Sequence, residues 1–99
     1  MEISEFQNLM KTLFFESDSK RGIHRTSLWL VEEVGELVRE LKKIEDQMNL
    51  ESVKEEMGDV FAWLCSLANL LGISLEEAAN NKYPGYCKKC TKSPCECNR

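Results

Sequence analysis

Two short strings in this 99-residue chain, Glu33-Val34-Gly35-Glu36 and Glu56-Met57-Gly58-Asp59, each carry two carboxylates three residues apart. On a helix that spacing makes the two acids neighbours one turn apart. At about 100° per residue and with Val60 as zero, Glu56 falls at roughly −40°, between Trp63 at about −60° and Leu67 at about −20°. A carboxylate therefore lies inside an apolar stripe. Asp59 sits at roughly −100°, toward the edge of that stripe. With Val34 as zero, Glu33 lies near −100° and Glu36 near −160°, so this pair flanks an apolar face. Four facing carboxylates would repel, and burial would push some of them to keep protons; a hard divalent cation removes the conflict. Oxygen ligands alone select Mg²⁺, Mn²⁺ or Ca²⁺ over zinc or copper. The single histidine, His24, lacks the spacing of a ferritin-like di-iron site. The acids lie on helical segments, which excludes a calcium loop of the EF-hand kind. Either pair alone would be an ordinary solvated helix face. Two matched pairs, one with a member in an apolar stripe, argue for a shared site.

A second constellation closes the chain. Cys87, Cys90, Cys95 and Cys97 read CxxC, four residues, then CxC. Four thiolates within eleven residues can surround Zn²⁺ as a tetrahedron. The stretch has almost no apolar residues to order it, so metal binding would supply its folding energy. The competing readings are two disulfides, disfavoured in a reducing compartment, or a disordered tail. The tail has no interleaved aromatics and modest charge, which argues against a nucleic-acid knuckle. Cys65 falls on a helical apolar stripe and reads as a packing residue.

The elements that must position these groups are helical. Both prolines follow position 83, and no alternating strand pattern or internal repeat occurs. Ile3, Phe6, Met10 and Leu13 predict a first helix over about residues 2 to 15, with SDSKRG after it as a loop. Leu30, Val34, Leu37, Val38, Leu41 and Ile44 predict a second over about 26 to 46, opened by Thr26 or Ser27 as cap. Val53, Met57, Val60, Leu64, Leu67 and Leu71 trace a third, stopped at Gly72. Ser74 with Glu77 fits a capping box that opens a short fourth helix, LEEAANNK. The expected architecture is an all-α four-helix bundle with a long antiparallel central hairpin and a short zinc-knuckle-like tail. Residues 1 to 84 would form the helical domain and 85 to 99 the metal-binding tail. About twelve residues precede the turn near residue 47 and about ten follow it, which levels the two acid pairs within roughly one turn.

Size and charge bound the rest. A chain this short buries only about 60–65% of its unfolded surface, so a metal, a partner subunit or both should contribute to its stability. A formal charge of −4 argues weakly against nucleic acid and gives no basic arm for a membrane surface. No apolar run nears the roughly 20 residues of a bilayer span, and MEISEFQNLMK is acidic where a signal peptide would be basic. These features lead us to expect a cytoplasmic protein.

The string LVEEVGELVREL, followed by EEMGDVFAWLCSLANLLGISLEEA with Glu56 twenty residues after Glu36, resembles the MazG-type all-α nucleotide pyrophosphohydrolases. Their signature is EExxE, a spacer, then ExxD; it reads here as Glu32, Glu33, Glu36, Glu56 and Asp59, and the likeness runs from about residue 26 through KYP at 82 to 84. The resemblance implies that Glu33, Glu36, Glu56 and Asp59 bind Mg²⁺, or Mn²⁺ in its place. It also implies a nucleoside triphosphate substrate, cut between the α and β phosphates to a monophosphate and pyrophosphate in nucleotide-pool house-cleaning, and a homodimer or homotetramer. Phosphoryl transfer fits these residues, since it needs charge neutralisation and an oriented water more than a protein nucleophile. Glu32 points roughly 100° from Glu33 and is either an acid behind the ligands or a surface residue; Glu36 could serve equally as general base. Lys82 and Tyr83, with Asn80 or Asn81, match the family segment that meets the nucleotide. The family's asparagine more often stands four residues before the tyrosine, where this chain has Ala79, so the choice between Asn80 and Asn81 stays open. Arg25, with Lys20 and Arg21 in the expected loop, adds candidate cations for phosphate. Trp29, one turn before Glu33, could stack on a base; Trp63 and His24 are weaker candidates. The competing class is a non-enzymatic helical dimer whose zinc tail binds a protein or RNA partner.

Overall fold

The computed structural model describes residues 1 to 97, and among these it is all-helical, with no strand. The helices are α1 (Ile3–Arg21), α2 (Ile23–Leu41), α3 (Leu50–Leu71) and α4 (Leu75–Lys82), with a single 3₁₀ turn at Glu45–Gln47 between α2 and α3. No single helix among the described residues is long and apolar enough to cross a membrane.

The first helix is longer than its apolar pattern. A reciprocal capping box between Glu2 and Glu5 opens it, and it runs on through the cluster SDSKR, expected above to be a loop. That cluster has loop-like composition but no backbone breaker before Gly22. Its polar side chains find partners within the helix: Ser17 Oγ donates to Phe14 O at 3.1 Å, and Arg21 pairs with Asp18 at 2.8 Å. Helix α1 stops at Gly22, whose φ of 87° lies in the region glycine tolerates. Helix α2 starts at the next residue, so His24 and Arg25 stand in its first turn, and Lys20 and Arg21 in the last turn of α1, not in a loop. Neither Thr26 nor Ser27 is a cap. Thr26 is fully buried between the helices, and Ser27 Oγ donates to His24 O at 2.7 Å. Helix α2 also ends five residues early, at Leu41, because the polar segment after Lys42 turns into the 3₁₀ element.

The later boundaries follow local chemistry closely. Asn49 Oδ1 accepts from Glu51 N and Ser52 N at 3.0 and 3.2 Å, which caps α3. Gly72 ends α3 in the left-handed region, and Ile73 N donates back to Ala68 O at 3.0 Å. Ser74 Oγ then accepts from Glu77 N at 3.2 Å, the Ser74 half of the expected capping box, and opens α4 over LEEAANNK where the sequence predicts it.

Helix α3 is central: it packs against both α1 and α2, while α4 leans on α1. The fully enclosed apolar core is small, comprising Met10, Val53, Cys65 and Ala68, and Phe6 stacks on Phe61 with ring centroids 5.2 Å apart. Gln7 ties α1 to the α3–α4 turn. Its Nε2 donates to Asn69 Oδ1 and Ile73 O at 3.0 and 2.8 Å, and its Oε1 accepts from Leu75 N at 2.9 Å. Replacing Gln7 by Leu removes the part-buried bonds to Asn69 Oδ1 and Leu75 N and the exposed one to Ile73 O, while Asn69 Nδ2 keeps its bond to the Gln7 backbone O at 3.1 Å, so a loss of about 1–3 kcal/mol is expected in urea or thermal unfolding. A loss below about 0.5 kcal/mol would mean that water replaces the amide without penalty.

Candidate active site and metal centres

Helix α2 presents Glu33 and helix α3 presents Glu56 and Asp59, each with a carboxylate oxygen within 4.8 Å of the others. Glu36 lies outside that set of three but close enough for its carboxylate to raise both Glu33 and Glu56. One oxygen of Glu33 and one of Glu56 are shut off from solvent and have no hydrogen-bond partner. Burial, followed by the charges of Glu36 and Asp59, pushes the Glu33 carboxyl above its ordinary range. Glu56 is raised by the same causes in the same order. Buried carboxylate oxygens rarely go unpaired, because losing water without a substitute is expensive. Orphaned oxygens on two members of one acidic cluster fit a hard divalent cation, which would satisfy them and offset the repulsion.

The raised groups have a readable consequence. A carboxyl whose folded pKa exceeds its unfolded one adds stability that is complete below the unfolded value of 4.5 and is lost as pH rises through the folded value. In EDTA, the melting temperature of the wild type should therefore fall behind that of Glu33→Gln as pH increases from about 4.5 to about 8. Calorimetry of both proteins across that range checks this; a difference independent of pH would remove the electrostatic reading.

Around the acids, the other expected residues separate. Trp29 stacks on Trp63, with centroids 5.9 Å apart and planes 19° from parallel, one turn along from Glu33 and Asp59 respectively. Arg21 lies 4.6 Å from the Trp63 ring centroid and is held by Asp18, which is buried. Asp18 and Arg21 thus support the aromatic pair. Sequence reasoning missed this, since an acid and a base three residues apart resemble any solvated helix pair. Glu32, Arg25 and His24 are exposed, and Lys20 is spent on Glu16 at 3.5 Å. Asn80, Asn81, Lys82 and Tyr83 are exposed at the end of α4. Lys82 and Tyr83 line a cavity of about 590 Å³ with the cysteine tail, and that cavity shares no residue with the carboxylate cluster.

In the tail, one sulfur from each of Cys87, Cys90, Cys95 and Cys97 lies within 4.8 Å of the others. Backbone N–H groups, that of Glu96 foremost, lower the Cys90 thiol to about 6, while the surrounding sulfurs, Cys90 foremost, push Cys97 up to about 11. Four crowded thiols cannot all ionise without a cation beside them. This cluster could hold a metal. Cys65 is apart from it, buried in α3, where burial raises its thiol pKa.

Comparison with curated proteins finds no match. The family model of the MazG nucleotide pyrophosphohydrolase domain matches residues 21–91, a span that contains all four acids of the two strings and more than half of the chain. With its helices and paired acids in place, the chain belongs to the MazG nucleotide pyrophosphohydrolase domain family.

Proposed function

We propose that this protein is a Mg²⁺-dependent nucleoside triphosphate pyrophosphohydrolase. It would cleave between the α and β phosphates to give a monophosphate and pyrophosphate, and so clear excess or non-standard nucleotides. The observation that carries this reading is the convergence of Glu33, Glu56 and Asp59, with a solvent-excluded, unpaired oxygen on two of them. These three residues and Glu36 would hold Mg²⁺ or Mn²⁺. The bound ion supplies charge neutralisation at the phosphate oxygens and a fixed position for water. Glu36, whose charge acts on two other carboxyls, would accept the proton of the attacking water; Glu32, one residue before Glu33, is the other base to test. Trp29, held against Trp63, offers a ring for the base.

The same reading includes an antiparallel α2–α3 hairpin within a four-helix bundle, supported by the pairing of Trp29 with Trp63 and Glu33 with Asp59. It also includes assembly into a homodimer or homotetramer. The chain exposes 7678 Å², where a monomeric protein of 11.4 kDa exposes about 5,800 Å². Its radius of gyration is 16.2 Å against about 13 Å for a compact domain of this length. Leu50, Met57, Leu64 and Leu71 are all exposed and recur every seventh residue of α3, while Val31, Val34, Val38 and Leu41 form a similar exposed seam on α2. Spacing of this kind suits helix pairing with another copy. Oligomerisation would also explain how Lys82, Tyr83, Asn80 or Asn81, and Arg25 reach the substrate. Twelve residues of helix, about 18 Å, separate Asp59 from the end of α3, and α4 then bends away by 99°.

A panel of standard and modified triphosphates with Mg²⁺ tests the activity. Pyrophosphate release that requires the metal supports it. No turnover of any triphosphate by folded, oligomeric protein would instead favour a binding module.

A further inference from the structure

We propose that Cys87, Cys90, Cys95 and Cys97 bind one Zn²⁺ ion, and that this ion, not apolar packing, holds the tail in its fold. The sulfur spacing is the first ground. In a tetrahedral ZnS₄ centre with bonds of about 2.3 Å, the sulfurs stand about 3.8 Å apart. Here Cys87 Sγ and Cys97 Sγ are 3.9 Å apart, and Cys90 Sγ and Cys95 Sγ 3.8 Å apart. A disulfide would need about 2.05 Å.

The backbone is arranged for the same end. Thr91 N donates to Cys87 O and Cys87 N to Lys92 O, closing a tight loop that turns Cys87 and Cys90 to one side. Cys97 N donates to Cys95 Sγ at 3.2 Å, a bond that favours thiolate sulfur. Four thiolates around one Zn²⁺ leave a net charge of −2. The cavity lined by Cys87, Cys95 and Cys97 is also lined by Lys82, Lys88, Lys89 and Lys92, whose positive charges complement that dianion and would have their mutual repulsion reduced by it. Lys92 is further braced by Glu96 at 2.6 Å. Between Cys87 and Cys97 no large apolar side chain occurs, so no core competes with the metal as the source of order.

On binding, whichever of the four sulfurs still carries a proton releases it to solvent as four Zn–S bonds form, with no change of oxidation state. The helices do not depend on this centre, because the core residues Met10, Val53, Cys65 and Ala68 all precede the tail.

The test uses the full chain, purified without chelator and analysed for metals by mass spectrometry. One zinc per chain is expected, together with a thiolate charge-transfer band and the intense visible bands of a tetrahedral site after exchange with Co²⁺. Cys90→Ser and Cys97→Ser should each reduce zinc content at least about tenfold with unchanged helical circular dichroism. Cys65→Ser should retain zinc. Iron in place of zinc, zinc retained by both tail variants, or rapid alkylation of all four tail thiols in the native protein would each overturn the proposal. None of these readouts involves a triphosphate, so they stand or fall separately from the hydrolase reading.

Discussion

Asp59→Asn and Glu56→Gln should each lower kcat/KM for pyrophosphate release by at least about 100-fold while leaving the metal-free protein as stable as the wild type or more so. The two halves of this result have one cause. Each substitution removes a carboxyl from a cluster in which burial and the charges of Glu36 and Asp59 push Glu33 and Glu56 above their ordinary range. Without the cation that carboxyl's charge is a burden, and an amide of the same shape relieves it. With the cation it is a ligand that an amide replaces poorly, because a neutral oxygen attracts Mg²⁺ far less than a carboxylate does. Saturating Mg²⁺ should raise the melting temperature of the wild type, and the two substitutions should shrink that rise, since stabilisation by a ligand follows its affinity for the folded state. Activity assays and thermal melts with EDTA or Mg²⁺ check both parts. Full activity in either variant, or a metal-free melting temperature several degrees below the wild type, would show that the carboxylates serve packing and not metal binding.

Leu64→Glu should convert the proposed oligomer to monomer and abolish most of the proposed activity without touching the acids. Leu64 stands on the outer face of α3 in line with Leu50, Met57 and Leu71, and all four are exposed in the single chain. In an interface with two-fold symmetry each substitution occurs twice, so two new carboxylates would lose water together. Like charges buried across an interface cost several kcal/mol, enough to weaken association by about 100-fold or more. Sedimentation or light scattering should show the shift in mass, and helical circular dichroism should persist because the α1–α3 contacts remain. An assembly of unchanged mass would place the contact elsewhere. Monomers with wild-type activity would show that one chain holds the whole site.

Helix type, number, the Gly72 stop and the Ser74 cap were legible in the sequence because they rest on chemistry within a few residues. Ser74 caps α4 through its own side chain, and Gly72 stops α3 through its freedom to adopt positive φ; the Asn49 cap of α3 was not read from the polar break DQMN and came only with the structure. The boundary between α1 and α2 was not legible. SDSKRG has the composition of a loop, yet Asp18 and Arg21 pair along the helix and Arg21 finds the face of Trp63, which lies 42 residues further on. That contact exists only once α1 has packed on α3. Thr26 misled for the same reason: a residue suited to capping is instead enclosed where two helices meet.

The sequence by itself determined which acids share a helix turn, which cysteines are close enough to meet round one ion, and that the chain is helical and belongs with the MazG domains. These depend on periodicity and short spacing, which a linear string carries intact. Only the tertiary structure decided that Glu33 joins Glu56 and Asp59 with Glu36 beside them, and that one oxygen on each of two glutamates loses both water and partner. It also decided that Asp18 and Arg21 back the tryptophan pair and that Lys82 faces the cysteine tail. Burial and long-range proximity are properties of packed helices, and helical periodicity alone does not say which neighbour a face will meet.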